Sequence, residues 1–169
     1  MRFIRQRKTA ETWLLNMKNN IKIKCETPED TDNLAKKFAN GVKNGCFINL
    51  FGDIGAGKTA FVRFVAKALG VTEKVTSPSF VILNEYHTSV LPIYHFDLYR
   101  LENVGVKSII DELREYSEGN KLTFVEWAEF SQGEIPFKFL NINVTYDDDD
   151  VRYYEFSSDY YDELFEEIK

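Results

Sequence analysis

The eight residues Gly52-Asp53-Ile54-Gly55-Ala56-Gly57-Lys58-Thr59 constrain this chain more tightly than any other segment. They fit the pattern G-x-x-x-x-G-K-[ST], and their flanks narrow the possible folds further. On the amino side Cys46, Phe47, Ile48, Asn49, Leu50 and Phe51 form a short, mostly apolar run, as expected of a strand covered on both faces. On the carboxyl side Phe61, Val62, Phe64, Val65, Ala68 and Leu69 recur at helical spacing, and Gly70 is placed to close that helix. A strand, a glycine turn and an amphipathic helix in direct succession are the context in which this pattern is a P-loop.

Each residue type has a physical reason to be there. Gly52, Gly55 and Gly57 permit backbone angles and close approach that a Cβ would block, so the N–H groups from Asp53 through Ile54, Gly55, Ala56 and Gly57 can turn inward around phosphate oxygens. The following helix aims its positive end at the same anion. Lys58 supplies a point charge for the β- and γ-phosphates, and the Thr59 hydroxyl is placed to ligate Mg²⁺. The cofactors this implies are ATP and Mg²⁺.

Holding a nucleotide does not break it; turnover needs carboxylates that hold the metal or orient the attacking water. Asp97 and Glu126 end the predicted strands 93–97 and 122–126, and in an open α/β sheet strand carboxyl ends line the ligand crevice. One such acid is commonly a cap or a surface residue. Two of them beside this loop are read, with Lys58, as catalytic candidates.

The remaining pattern fills in an α/β fold. Thr27-Pro28-Glu29-Asp30 reads as a capped helix start, with Leu34, Ala35, Phe38 and Val42 on its apolar face and an end near Gly45. Further strands are expected over 80–86, 140–146 and 151–156, and a helix carries Val106, Ile109, Ile110 and Leu113. Asp147 to Asp150 read as a solvated hairpin turn rather than a calcium loop, because no EF-hand pattern surrounds them. The fold expected is a P-loop NTPase-like three-layer sandwich with a mostly parallel central sheet, a C-terminal β-hairpin and a terminal helix. It divides into a basic extension over 1–20, an ATPase domain over 21–157 and an acidic amphipathic helix over 158–169, whose apolar face carries Tyr161, Leu164, Phe165 and Ile168.

Charge supports these boundaries. Residues 1–24 hold seven Lys/Arg against Glu11 alone, whereas residues 145–169 hold ten Asp/Glu against Arg152 and Lys169. The net charge of −6 argues against broad nucleic-acid binding. The basic start reads as an upstream extension rather than an organellar leader. Cys25 and Cys46 lack any metal-ligand or redox spacing and read as reduced, buried thiols, which with the lack of a membrane-length apolar run makes the cytoplasm the expected location.

Four motifs then stand in order: G-D-I-G-A-G-K-T at 52–59, S-P-S-F at 77–80, H-F-D-L-Y-R at 95–100 and E-W-A-E at 126–129. Together they resemble the TsaE family, bacterial ATPases that act with TsaB and TsaD to form the threonylcarbamoyl modification on adenosine 37 of tRNA. The resemblance is strong over 27–129 and weaker around Arg152. It implies that Thr59 and Glu126 contact Mg²⁺, that Asp97 is essential to ATP turnover through the metal or the water, and that Ser77, Pro78 and Ser79 form a switch-like loop. It places Thr31 near the nucleotide base and Trp127 beside the site, with Tyr99 and Arg100 supporting it or facing a partner. Partners implied are TsaD and TsaB homologues, with tRNA reached only through that complex, no membrane, and ATP used to reset the complex between rounds. The family commonly has threonine at the position of Ser79 and proline at that of Ala128. His95 is open between a structural and a proton-transfer role, and Trp127 and Tyr99 between core and rim.

Two other readings keep the same loop. A small-molecule or nucleoside kinase would need an arginine-bearing lid, yet Arg114 is the lone basic residue between Glu112 and Gly119. A non-hydrolysing nucleotide sensor needs no further residues. A GTPase is disfavoured, since Asn120-Lys121 continues as Leu122-Thr123 and lacks the guanine-reading aspartate.

Overall fold

The computed structural model of the protein describes residues 17–131 and 138–169; most of the basic extension therefore lies outside the described residues. A strand that the sequence reading leaves unassigned opens the described fold: β1, Asn19–Cys25. It alternates Ile21 and Ile23, which pack toward the core, with outward lysines, and Lys22 lies 5.0 Å from the ring centroid of Tyr153. Helix α1, Pro28–Gly41, starts as expected, with Thr27 and Asp30 forming a reciprocal capping box. It stops before Gly45, whose positive φ sits in the turn that follows.

Strand β2, Cys46–Phe51, is buried at every position because both of its faces are covered. Ile48 and Leu50 join a cluster with Leu34 and Phe38 of α1, Phe61 and Val65 of α2 (Lys58–Ala68) and Leu164 of α4 (Asp162–Ile168). Phe47 and Phe51 join a second cluster on the opposite face, with Leu101 of the 3₁₀ turn Tyr99–Leu101 and Leu113 of α3, Ile110–Glu115. Strands β3 (Leu83–Tyr86), β4 (Ile93–Asp97), β5 (Leu122–Glu126), β6 (Leu140–Tyr146) and β7 (Arg152–Ser158) complete one sheet in the order β1-β7-β6-β2-β5-β4-β3.

That sheet corrects the expectation of a mostly parallel one. The pairs β2-β5, β2-β6 and β4-β5 are parallel, whereas β1-β7, β6-β7 and β3-β4 are antiparallel. The short loops 87–92 and 147–151 can only return a strand antiparallel, since a parallel return needs a crossover of a dozen or more residues. Parallel pairing is confined to the four central strands, where β2 lies between β5 and β6.

Several boundaries also move, among them the last strand, expected over 151–156 and found at Arg152–Ser158. The third strand begins at Leu83 rather than 80, because Pro78 opens a turn in which its carbonyl accepts from the N–H groups of both Val81 and Ile82. Helix α3 begins only at Ile110, and Val106 packs from the loop before it. The terminal helix begins at Asp162, because Ser158 still belongs to β7 and pairs with Asn19. The Asp147–Asp150 loop is a turn closed on itself: the Asp147 carboxylate accepts from the backbone N–H groups of Asp149 and Val151.

Candidate functional site

The site forms where β2, β4 and β5 end. Side chains of a strand alternate between faces, so Ile93, His95 and Asp97 share one face of β4 and Leu122, Phe124 and Glu126 share one face of β5. Parallel register sets Asp97 beside Glu126 and His95 beside Phe124. Leu50 of β2 is level with Glu126. This is the face on which α2 packs, so the end of the glycine loop and both carboxylates converge in a cleft of about 400 Å³. Ile54, Gly55, Gly57, Lys58, Thr59, Ser77, Ser79, Asp97, Tyr99, Glu126 and Trp127 line it.

Two glycines show why the loop has its composition. A Cβ on Gly52 would stand 2.4 Å from the carbonyl oxygen of Val144 in β6, so no side chain fits. Gly57 has room but a φ of +111°, a left-handed conformation that leads into α2. No side chain caps α2, which leaves the N–H groups of its first turn available to an anion.

Lys58 is 5% exposed. Its ammonium donates to the carbonyls of Gly52 at 2.5 Å and Asp53 at 2.9 Å, and lies 4.1 Å from the ring centroid of Trp127. Burial lowers its pKa, and the negative charges of Glu126, Glu129, Asp97 and Asp53 act in the opposite sense. Trp127 adopts a left-handed φ of 58° and is wedged between Phe130, parallel at 5.6 Å, and Tyr99 at 5.2 Å.

The carboxylates have different partners. Glu126 Oε1 accepts from the Thr59 hydroxyl at 2.6 Å and lies 2.8 Å from His95 Nε2. Asp97 Oδ2 accepts from the hydroxyls of Ser77 at 2.6 Å and Ser79 at 2.7 Å, while Oδ1 accepts from the Tyr99 N–H at 2.9 Å. The loop that Ser77 and Ser79 anchor exposes Phe80 and Val81, and the Arg100 guanidinium lies 4.8 Å from the Phe80 ring centroid.

Not every expected residue reaches this cleft. Asp53 and Ala56 line a second cavity of about 490 Å³ on the other side of the loop, with Glu129 and Asn143. Thr31 is buried on α1 and does not line this cleft. Two residues that the sequence reading gave no role stand near the loop. Arg152 Nε and Tyr154 Oη lie 3.7 and 3.9 Å from the position a Cβ would take on Gly57. The one sign of them in the sequence is the weaker family resemblance around Arg152, since β7 is brought to the loop only by the sheet order. Glu129 was visible in the E-W-A-E motif; its Oε2 is buried without a hydrogen-bond partner among the described residues, and burial raises its pKa.

The residues present fit Mg²⁺ held with a nucleotide. Mg²⁺ takes one or two protein oxygens and completes its shell with phosphate and water, so it needs no multidentate cage. Among the described residues no group of three or more His, Cys, Asp or Glu forms one. Two ligands of one Mg²⁺ lie about 3 Å apart in an octahedron, close to the 2.6 Å between the Thr59 and Glu126 oxygens.

Fold and site together define a mixed α/β protein in which a glycine loop, the lysine and threonine that begin its helix, and two strand-end acids share one cleft. Residues 25–154 match the family model described as threonylcarbamoyl adenosine biosynthesis protein TsaE. The chain is 38% identical over 150 residues to the TsaE protein of Bacillus subtilis, covering 88% of this chain and 93% of that protein. It is also 38% identical over 138 residues to that of a Nostoc species, covering 78% and 82%. It superposes on the crystal structure of Bacillus subtilis YdiB with a TM-score of 0.75 at 35% identity, covering 90% of this chain and 96% of that one. The chain belongs to the TsaE family. Among the described residues no helix is long and apolar enough to cross a membrane.

Proposed function

We propose that this chain is a P-loop NTPase-like, Mg²⁺-dependent ATP hydrolase that serves formation of the threonylcarbamoyl modification at adenosine 37 of tRNA. It docks on homologues of TsaD and TsaB in the cytoplasm and uses ATP binding and hydrolysis to reset that complex. The observation that carries this reading is the convergence of the loop-end residues Lys58 and Thr59 with Asp97 and Glu126 in one cleft. Family membership supplies the tRNA pathway.

In this reading the loop amides and the first turn of α2 bind the phosphates, and Lys58 exchanges its carbonyl partners for β- and γ-phosphate oxygens. Thr59 and Glu126 would hold Mg²⁺, which when bound neutralises charge developing on the phosphates. Asp97, hydrogen-bonded to Ser77 and Ser79, serves turnover through the metal or the attacking water and couples the 77–82 loop to the γ-phosphate side. Trp127 limits water around Lys58. Isolated activity is low, because the cleft is open and a docking partner is needed to close it.

Phosphate release from ATP, measured with and without the partner pair, tests the reading. Stimulated release from wild type and none from Lys58→Ala is the expected result, with Glu126→Ala sparing nucleotide binding more than turnover. No release under any condition would leave a nucleotide sensor; release only with a small phosphoryl acceptor would indicate a kinase. In cells, depletion should remove the tRNA modification, and wild type but not Lys58→Ala should restore it.

A further inference from the structure

His95 occupies a position that an apolar residue would fill more cheaply. It is 0% exposed, between Ile93 and Asp97 on the inner face of β4 and level with Phe124 of β5. An imidazole in such surroundings needs its N–H bonded, since an unpaired buried donor costs about 1–3 kcal/mol. Among the described residues its ring has one hydrogen-bond partner, Glu126 Oε1 at 2.8 Å, and Nδ1 has none. A carboxylate oxygen only accepts, so the hydrogen bond needs a proton on Nε2. The ring directs that donor at a site carboxylate.

The same Oε1 also accepts from Thr59, so one oxygen is fixed from two directions, by α2 and by β4. A cation taken by both Thr59 and Glu126 replaces the hydrogen bond between them. The His95 contact is then what still holds the carboxylate. We infer that His95 is a positioning residue: its Nε2–H fixes Glu126 in the orientation that presents this carboxylate, with Thr59, to a divalent cation. The inference rests on the reading given under Proposed function. Groups behind a metal ligand of this kind are worth about 10–100-fold in metal affinity.

The test uses the full chain, Mn²⁺ as the probe and a non-hydrolysable ATP analogue, with free Mn²⁺ followed by electron paramagnetic resonance. His95→Leu should weaken Mn²⁺ binding about 10–100-fold and leave analogue affinity in EDTA unchanged. His95→Gln, whose amide can donate from the place of Nε2, should stay within about threefold of wild type. In a Glu126→Ala background His95→Leu should cost nothing further. Equal Mn²⁺ affinity in His95→Leu and wild type, equal losses in the Leu and Gln variants, or an undiminished loss without Glu126 would each overturn the inference. A measurement free of substitution is nitrogen NMR of the wild-type ring: Nε2 should carry the proton with and without Mg²⁺ and analogue, and a ring protonated only at Nδ1 would also overturn it. Wild type that fails to hold Mn²⁺ with the analogue would instead bring down the functional reading, and this inference with it.

Discussion

Replacing Asp97 by Asn isolates the clamp that holds the 77–82 loop. The carboxylate accepts three hydrogen bonds, from Ser77, Ser79 and the Tyr99 N–H, and it is buried. Asparagine preserves the shape, and with its oxygen kept toward Tyr99 its NH₂ group faces the two serines. Their hydroxyls can rotate to accept, so the bonds survive but lose their ionic partner. Charge-assisted bonds are roughly twice as strong as neutral ones, and each contributes about 1.5–3 kcal/mol, so two of them lose together about 1.5–3 kcal/mol. At about 1.4 kcal/mol per decade, that makes opening of the loop roughly 10–150-fold more frequent. Amide hydrogen exchange should therefore accelerate by that factor at Val81 and Ile82, while amides in the centre of β2 keep their protection. Val81 and Ile82 are the sensitive probes, because their N–H groups close the turn onto the Pro78 carbonyl. Exchange at Val81 and Ile82 within twofold of wild type would show that the serine contacts do not hold the loop. Uniform acceleration across the sheet would show that Asp97 stabilises the whole fold instead.

Further outcomes follow from other features. Gly52→Ala should destabilise the protein by more than about 3 kcal/mol in urea unfolding, because overpacking against fixed backbone adds to the conformational cost, whereas Gly55→Ala, with nothing within 4 Å of the new Cβ, should cost only about 1–2 kcal/mol; equal effects would refute the steric account of Gly52. Burial raises the Glu129 pKa, so the folded state binds the extra proton between the unfolded and folded values and stability falls as pH rises through that window. Glu129→Gln should therefore gain on wild type as pH climbs from below the ordinary glutamate range to above it, and a gain that shrinks with pH would reverse the assignment. The Cys46 thiol, pushed up to about 12 by burial, and Cys25, also raised, should resist iodoacetamide at pH 8 in the native protein and react after unfolding, as checked by mass spectrometry.

Much of the site is legible in the sequence. The limits of β2, β4, β5 and β6 agree with apolar runs and their flanking residues, and the Thr27–Asp30 box marks the start of α1 through short-range hydrogen bonding alone. The sequence makes the third strand look longer than it is because Phe80 and Val81 are strand-type residues; their conformation is set by serine contacts to Asp97, which lies about twenty residues away. β1 was hidden for a related reason. Its Ile-Lys alternation is short, and it becomes a strand only by pairing with β7 at the far end of the chain.

The chain's local chemistry determined the loop, the helix that follows it and the identity of the residues able to grip phosphate and metal. These depend on φ preference, on side-chain type and on periods of two and 3.6, all of which act within a few residues. Tertiary structure alone decided that β2 lies between β5 and β6, that Arg152 approaches Gly57, that Thr31 does not line the cleft and that Glu126 meets both Thr59 and His95. The physical reason is that strand order and register come from burying two apolar faces at once. That requirement joins residues far apart in sequence and leaves no mark on any one segment.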